Sequence, residues 1–250
     1  MRKMYQREWH GIPLEKVGRL TSKELPDQAF YSSFYRMFFD KYKTIQDIDP
    51  SWIELKMQAA RFICQHNKFT KESRILSIGC GLGIMEKAII DEGFSNLEVT
   101  EISMEPLRIL LTCISHDHVH IGLFPDCIPD NRFYDFILLS SVDYFLDKKE
   151  LTCFLNAVRE RLSSNGVCLL ISWSIEPSAL TGKISGTIKN IAAFFLEKLN
   201  LRSRGQFWGY LRTRDEYKCA MLNSGFLNVC EGFLEKKTQW DTYWVKGSKN

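Results

Sequence analysis

The run Ile75-Leu76-Ser77-Ile78-Gly79-Cys80-Gly81-Leu82-Gly83 joins a strand to a helix through three closely spaced glycines. Arg74 to Ile78 reads as a short strand. Ile84 to Glu92 reads as a helix that Gly93 and the pair Ser95-Asn96 bring to a stop. Between them, glycine stands at alternate positions. Gly79 lets the chain turn sharply out of the strand, and Gly81 lets the backbone approach a ligand with no Cβ in the way. Gly83 permits close packing of the helix on the strand.

Outward from this bend the pattern repeats. Leu97 to Ile102 reads as a second strand, and Ser103 opens a helix with Pro106 in its first turn and Leu107, Leu110, Leu111 and Ile114 on one face. Val119 to Leu123 and Tyr134 to Ser140 read as further strands, the latter a continuous apolar run of the buried parallel kind. Lys148 to Leu162 is an amphipathic helix, after which Asn165-Gly166 turns the chain into a strand over Val167 to Trp173. Strands and helices alternating at this spacing predict an α/β fold: a doubly wound, mostly parallel sheet with helices on both faces. Thr213 to Asn223 reads as a helix ending at Gly225. Phe226 to Leu234 and Trp240 to Val245 have no helix between them, so they must pair antiparallel.

Residues 1–72 read as an N-terminal helical cap over the sheet edge, leaving 73–250 as the sheet domain. Phe30, Phe34, Phe38 and Tyr42 recur at four-residue steps with Tyr31, Tyr35 and Phe39 beside them, a wide aromatic face read here mainly as core. Asp49-Pro50-Ser51 opens another helix, in which Trp52, Leu55, Ala59 and Phe62 share a face.

Glu101 closes the second strand, 22 positions after Gly79. In a doubly wound sheet the carboxyl ends of neighbouring strands face one crevice, so this carboxylate stands beside the glycine bend. There it can accept two hydrogen bonds from the hydroxyls of a ribose. A dinucleotide site wants Gly-x-Gly-x-x-Gly, which brings a helix N-terminus to a pyrophosphate. Here the run is Gly-x-Gly-x-Gly, and Ile84 stands where that third glycine would be. A nucleoside with no pyrophosphate fits the loop better.

From about Ser51 to Val245 the chain resembles the class I S-adenosylmethionine-dependent methyltransferases, in particular their bacterial small-molecule branch. The residues that carry the resemblance are Ile75 to Gly83, Glu101, Phe133 to Leu139, Val158 to Gly166, and Ser224-Gly225-Phe226 followed by Val229. The resemblance implies a Rossmann-like sheet of seven strands, and S-adenosylmethionine as cofactor. It implies that Gly79, Cys80, Gly81 and Gly83 form the cofactor loop, that Glu101 with Ile102 holds the ribose, and that Phe124 and Asp126 edge the adenine. Ser140 and Ser141 would face the methyl-donor end. One departure stands out: family members often carry an acid two places before the first glycine, where it positions the methionine amino group. This chain has Ser77 there.

Methyl transfer needs an aligned acceptor and exclusion of water more than it needs a strong catalyst. For an oxygen or nitrogen acceptor, the candidate catalytic groups are Asp143 and Tyr144, after the fourth strand, and Glu176, after the fifth. Asp143 as a helix cap and Tyr144 as a wall aromatic are the plainer alternatives. The aromatic run Gln206 to Arg212 is read as part of a lid insertion over 175–215, with Arg212 or Arg214 meeting an anionic group, or else as packing against the cap.

The chain carries 33 Lys plus Arg against 30 Asp plus Glu, a net charge of +3 that by itself implies no nucleic-acid partner. It lacks the Asn-Pro-Pro-Tyr or Asp-Pro-Pro-Tyr run with which DNA amino-methylases that resemble it position a flipped base. The expected partner is therefore a small-molecule acceptor, including a sugar or a nucleotide- or lipid-linked metabolite. The eight cysteines form no Cys-x-x-Cys pair and read as buried free thiols of a reducing, cytoplasmic compartment. His116, His118 and His120 alternate, but without a cysteine or carboxylate cluster of metal-site spacing, so no metal is expected. The longest apolar runs are strand-length, too short to span a bilayer. Two competing readings of the same loop remain: a nicotinamide-dependent oxidoreductase, and a non-catalytic methyltransferase-like module that binds a partner protein.

Overall fold

The computed structural model describes residues 1–20, 26–66, 69–175, 205–235 and 241–250. The chain opens with β1 (Arg2–Gln6), then a small hairpin of β2 (Glu8–Trp9) and β3 (Ile12–Pro13). Its two-residue turn, His10-Gly11, has positive φ at both positions (49° and 64°), as the tight hairpin turn of right-twisted strands demands. This corrects the expectation of an all-helical start. Histidine in place of the usual asparagine hid the turn.

After a single helical turn, α1 (Leu14–Val17), come α2 (Gln28–Lys41) and α3 (Pro50–His66), the helical part of the expected cap. Asp27 caps α2 by accepting the backbone N–H of Phe30 at 2.8 Å.

The central sheet contains β4 (Ile75–Ile78), β5 (Leu97–Glu101), β6 (Val119–Ile121), β7 (Tyr134–Ser140), β8 (Leu162–Ser174), β10 (Leu227–Glu235) and β11 (Asp241–Ser248). Their order is β10-β11-β8-β7-β4-β5-β6. The five strands from β8 to β6 are parallel, and β11 and β10 join antiparallel at the opposite edge. The chain runs outward from β4 to β6 on one side, then returns to β7 on the other. The crevice between the carboxyl ends of β4 and β7 is therefore a topological switch point, where open α/β sheets bind ligands.

Alternation along β7 explains the layers. Phe136 and Leu138 pack with Ala59 and Ile63 of α3 and Ile89 of α4 (Ile84–Asp91). Ile137 and Leu139 face the other way, toward Leu155 and Val158 of α5 (Lys148–Glu160) and Met221 of α6 (Arg214–Asn223). Both faces of the parallel strands are covered, which is why they read as unbroken apolar runs.

Three elements differ from the sequence reading. The helix expected after Ser103 is two short 3₁₀ turns, Glu105–Arg108 and Leu110–Thr112. Thr112 Oγ1 donates to the Ile109 carbonyl and Cys113 Sγ to that of Leu110, local bonds that compete with helix continuation. Strand β8 starts at Leu162, because Asn165-Gly166 lies in a bulged stretch of the strand: the register jumps from Tyr134 opposite Leu162 to Phe136 opposite Val167. The segment Gln206–Leu211 is strand β9, paired antiparallel with β1. Most of the proposed lid, 176–204, lies outside the described residues.

All eight cysteines are free thiols. Only Cys168 is buried, while Cys153, Cys219 and Cys230 are exposed, a correction to the expectation of wholesale burial. No helix among the described residues is long and apolar enough to cross a membrane.

Candidate functional site

A cavity of about 380 Å³ opens at the carboxyl ends of β4, β5 and β7, with α2 and the β2–β3 hairpin on its far side. That volume is within the range of small-ligand pockets. The glycine bend forms its floor. Gly79, Gly81 and Gly83 all have positive φ (67°, 57° and 68°). A Cβ on Gly81 would stand 3.2 Å from the Tyr35 hydroxyl, on the cavity side of the loop. Gly83 is crowded by Leu110, whose Cβ would be 2.7 Å away, so its close packing is against a 3₁₀ turn and not the expected strand.

Glu101 reaches this bend. Its Oε2 accepts the Gly81 N–H at 2.8 Å and its Oε1 accepts the Ile102 N–H at 2.8 Å. Burial pushes the Glu101 carboxyl above its ordinary value, opposed by backbone N–H groups of Gly81, Ile102 and Ser103. Tyr35, Tyr31 and Tyr144 stand on the same wall, and burial pushes all three phenols up. They are protonated hydrogen-bonding groups at neutral pH.

Of the residues singled out from sequence, Gly79, Cys80, Gly81, Gly83, Glu101, Ile102, Phe124, Ser140, Ser141 and Tyr144 line this cavity. Ser141 holds φ at +59°, a left-handed conformation rare outside glycine, and its N–H donates to the Ile171 carbonyl. Two described residues stand elsewhere. Asp126 is exposed and off the cavity wall. Asp143 is fully buried behind the wall. Its Oδ2 accepts from the Tyr217 hydroxyl at 2.7 Å, with Arg212 at 3.5 Å. Glu176 lies outside the described residues.

Arg212 does not face the cavity either. It donates to the carbonyls of Asp143 and Leu146 and so pins the loop after β7. Arg214 stacks over the Phe233 ring. His116 and His118 end a 3₁₀ turn, while His120 bonds the Glu98 carboxylate at 2.7 Å. Among the described residues no group of three His, Cys, Asp or Glu side chains could hold a metal.

Sequence reading missed several wall residues. Trp9, Phe34, Phe38, Trp52 and Trp208 form an aromatic chamber beyond the glycine bend, with Trp9 stacked on Phe34 at 4.3 Å. The α2 stripe was legible as a face, but nothing in its spacing told core from pocket wall. His10 also lines the chamber, edge-on to Trp52 at 5.1 Å and Phe38 at 5.5 Å. Burial lowers its imidazole to about 4, despite Asp49 nearby, so it is neutral at pH 7. Lys56 and Glu86 were likewise unforeseen, since each looks like an ordinary charged helix residue.

A family profile described as "Methyltransferase domain" matches residues 51–230, well over half of the chain. The chain belongs to the class I S-adenosylmethionine-dependent methyltransferases. Solved methyltransferases share its fold. A candidate O-methyltransferase of Nostoc punctiforme superposes with a TM-score of 0.58 at 16% identity, covering 94% of this chain and 65% of its own. PigF with S-adenosylhomocysteine (SAH) gives 0.56 at 14% identity, covering 89% of this chain and 59% of its own. The magnesium protoporphyrin IX methyltransferase of Synechocystis, with SAH bound, gives 0.58 at 10% identity, covering 90% of this chain and all of its own. No curated protein matches the chain. The methyltransferase's glycine cradle, which a Cβ would obstruct, and the carboxylate bound to it fit a nucleoside methyl donor.

Proposed function

We propose that this methyltransferase moves a methyl group from S-adenosylmethionine to an oxygen or nitrogen of a small, planar, largely apolar acceptor. The observation that carries the acceptor class is the aromatic chamber continuous with the cofactor loop. Aromatic faces hold flat apolar molecules by stacking and burial. With Arg212 turned away from the cavity, a nucleotide-linked acceptor lacks that cation as a partner for its phosphates.

When bound, the sulfonium cofactor supplies an already activated methyl group. The chain's own residues do the rest. Gly79 to Gly83 and Glu101 bind the adenosine half, the glutamate through its oxygens. Ser140 and Ser141 edge the space between donor and acceptor. Trp9, Trp52 and Trp208 orient the acceptor and keep water out, which fixes an in-line approach. Neutral His10 has a lone pair free to accept a hydrogen bond from an acceptor hydroxyl. Tyr144, held protonated by burial, serves as a donor and not as a base.

The test is incubation of the purified chain with labelled S-adenosylmethionine and a panel of phenols, heteroaromatic amines and sugars. Label appearing in a planar aromatic product supports the proposal. Transfer to sugars alone would refute the acceptor class.

A further inference from the structure

The acid expected beside the glycine bend is missing at Ser77, yet a carboxylate is present at that place in space. Ser77 lies on β4 with its side chain toward α4, and its hydroxyl bonds Glu86 Oε1 at 2.6 Å. Glu86 sits in the first turn of α4, is only 1% exposed, and lines the cavity. In the same cavity, Lys56 of α3 donates to Ser140 Oγ at 3.0 Å. We propose that Glu86, held by Ser77, binds the ammonium of the cofactor's amino-acid tail, and that Lys56, held at Ser140, binds its carboxylate.

A carboxylate and an ammonium withdrawn from water need partners that restore their lost hydration. Each of these two has a single neutral hydroxyl as its side-chain hydrogen-bond partner among the described residues. Burial pushes the Glu86 carboxyl up and the Lys56 ammonium down, each partly offset by the other's charge. A zwitterionic ligand end would give each of them an oppositely charged hydrogen-bond partner at once. The position suits it: Gly79 to Gly83 run between Ser77 and Glu86 in sequence, so a nucleoside seated on the bend leaves its tail near both. A purely structural pair would gain nothing from facing a cavity, where replacement by apolar side chains is often neutral or better.

The inference rests on the cofactor assignment above. It is tested on the whole 250-residue chain by calorimetric titration of two ligands. SAH carries the amino-acid tail; 5′-methylthioadenosine shares the adenosine and thioether and lacks the tail. Glu86→Gln and Lys56→Met are each expected to weaken SAH at least about tenfold, the worth of one charge-assisted hydrogen bond. Both leave methylthioadenosine within about twofold on the same scale. Moving the carboxylate, with Ser77→Asp in the Glu86→Gln background, is expected to restore SAH binding. Ser77→Ala, which keeps the carboxylate but frees it, is a milder variant should Glu86→Gln not fold, and is expected to weaken SAH alone. Equal losses for both ligands, or no loss for SAH, overturn the inference while the nucleoside site stands. An unmutated protein that binds neither ligand overturns both.

Discussion

Gly81 donates its backbone N–H to the Glu101 carboxylate at 2.8 Å, so the glycine bend after β4 and the acid ending β5 form one unit. The parallel β4–β5 pairing, with Ile78 opposite Thr100, brings them together. Adding a Cβ to Gly81 tests that unit. At φ +57° a left-handed alanine costs about 1–2 kcal/mol, and its methyl group would crowd the Tyr35 hydroxyl. Gly81→Ala should lower the melting temperature by a few degrees and weaken SAH about tenfold by calorimetry.

Asp143 separates structure from catalysis. It is buried, and its carboxylate is bonded by Tyr217 with Arg212 close by. Removing one member of a buried charged network costs about 3–5 kcal/mol, so Asp143→Ala should melt far below the parent or fail to fold. Asp143→Asn keeps an acceptor for Tyr217. If Asp143 were the general base, that variant would lose about 10²–10⁴ in kcat. The geometry predicts a much smaller loss, with SAH affinity unchanged.

Ser141 stores strain at the end of β7, with φ at +59°. Ser141→Gly relieves it and should raise stability by about 1 kcal/mol, or a few degrees in melting temperature. It also removes a hydroxyl from the cavity, so kcat should fall while thermal stability rises.

Glu98 sets acid sensitivity at a point away from the cavity. Burial opposes its ionisation, but hydrogen bonds from His120 and Tyr134 and the charge of Arg132 outweigh that and hold its carboxyl at about 2, below the ordinary 4.5. A depressed carboxyl contributes stability above its unfolded value. That contribution fades as pH falls from 4.5 toward about 2. Glu98→Gln should therefore destabilise the protein at pH 7, with the difference from the parent narrowing through that window. Denaturant melts at several pH values measure it.

Much of this was legible from the chain alone, for specific reasons. Continuous apolar runs such as Phe136 to Leu139 announce strands covered on both faces, and Gly-x-Gly-x-Gly between a strand and a helix announces the bend. The β1–β9 pairing was not legible, because it joins Arg2–Gln6 to Gln206–Leu211 and no local pattern encodes so distant a partner. Asp143 follows β7, which left it open as a candidate base beside the plainer structural role; its side chain turns behind the wall, a fact set by Tyr217 and Arg212 from a later segment. Conversely, nothing local marks Glu86 out from other helix glutamates; its place against Ser77 comes from the packing of α4 on β4. The α2 aromatics could be counted but not assigned, since core and chamber wall share one periodicity.

Titration of SAH into the unmutated protein and into Glu101→Ala, each checked for an intact melting transition, decides whether the glycine bend and Glu101 together hold an adenosine. The parent should bind in roughly the micromolar range and the variant at least about thirtyfold more weakly, the scale of two charge-assisted hydrogen bonds to a ribose. A folded Glu101→Ala protein that binds SAH as tightly as the parent, or a parent that does not bind it, would contradict it.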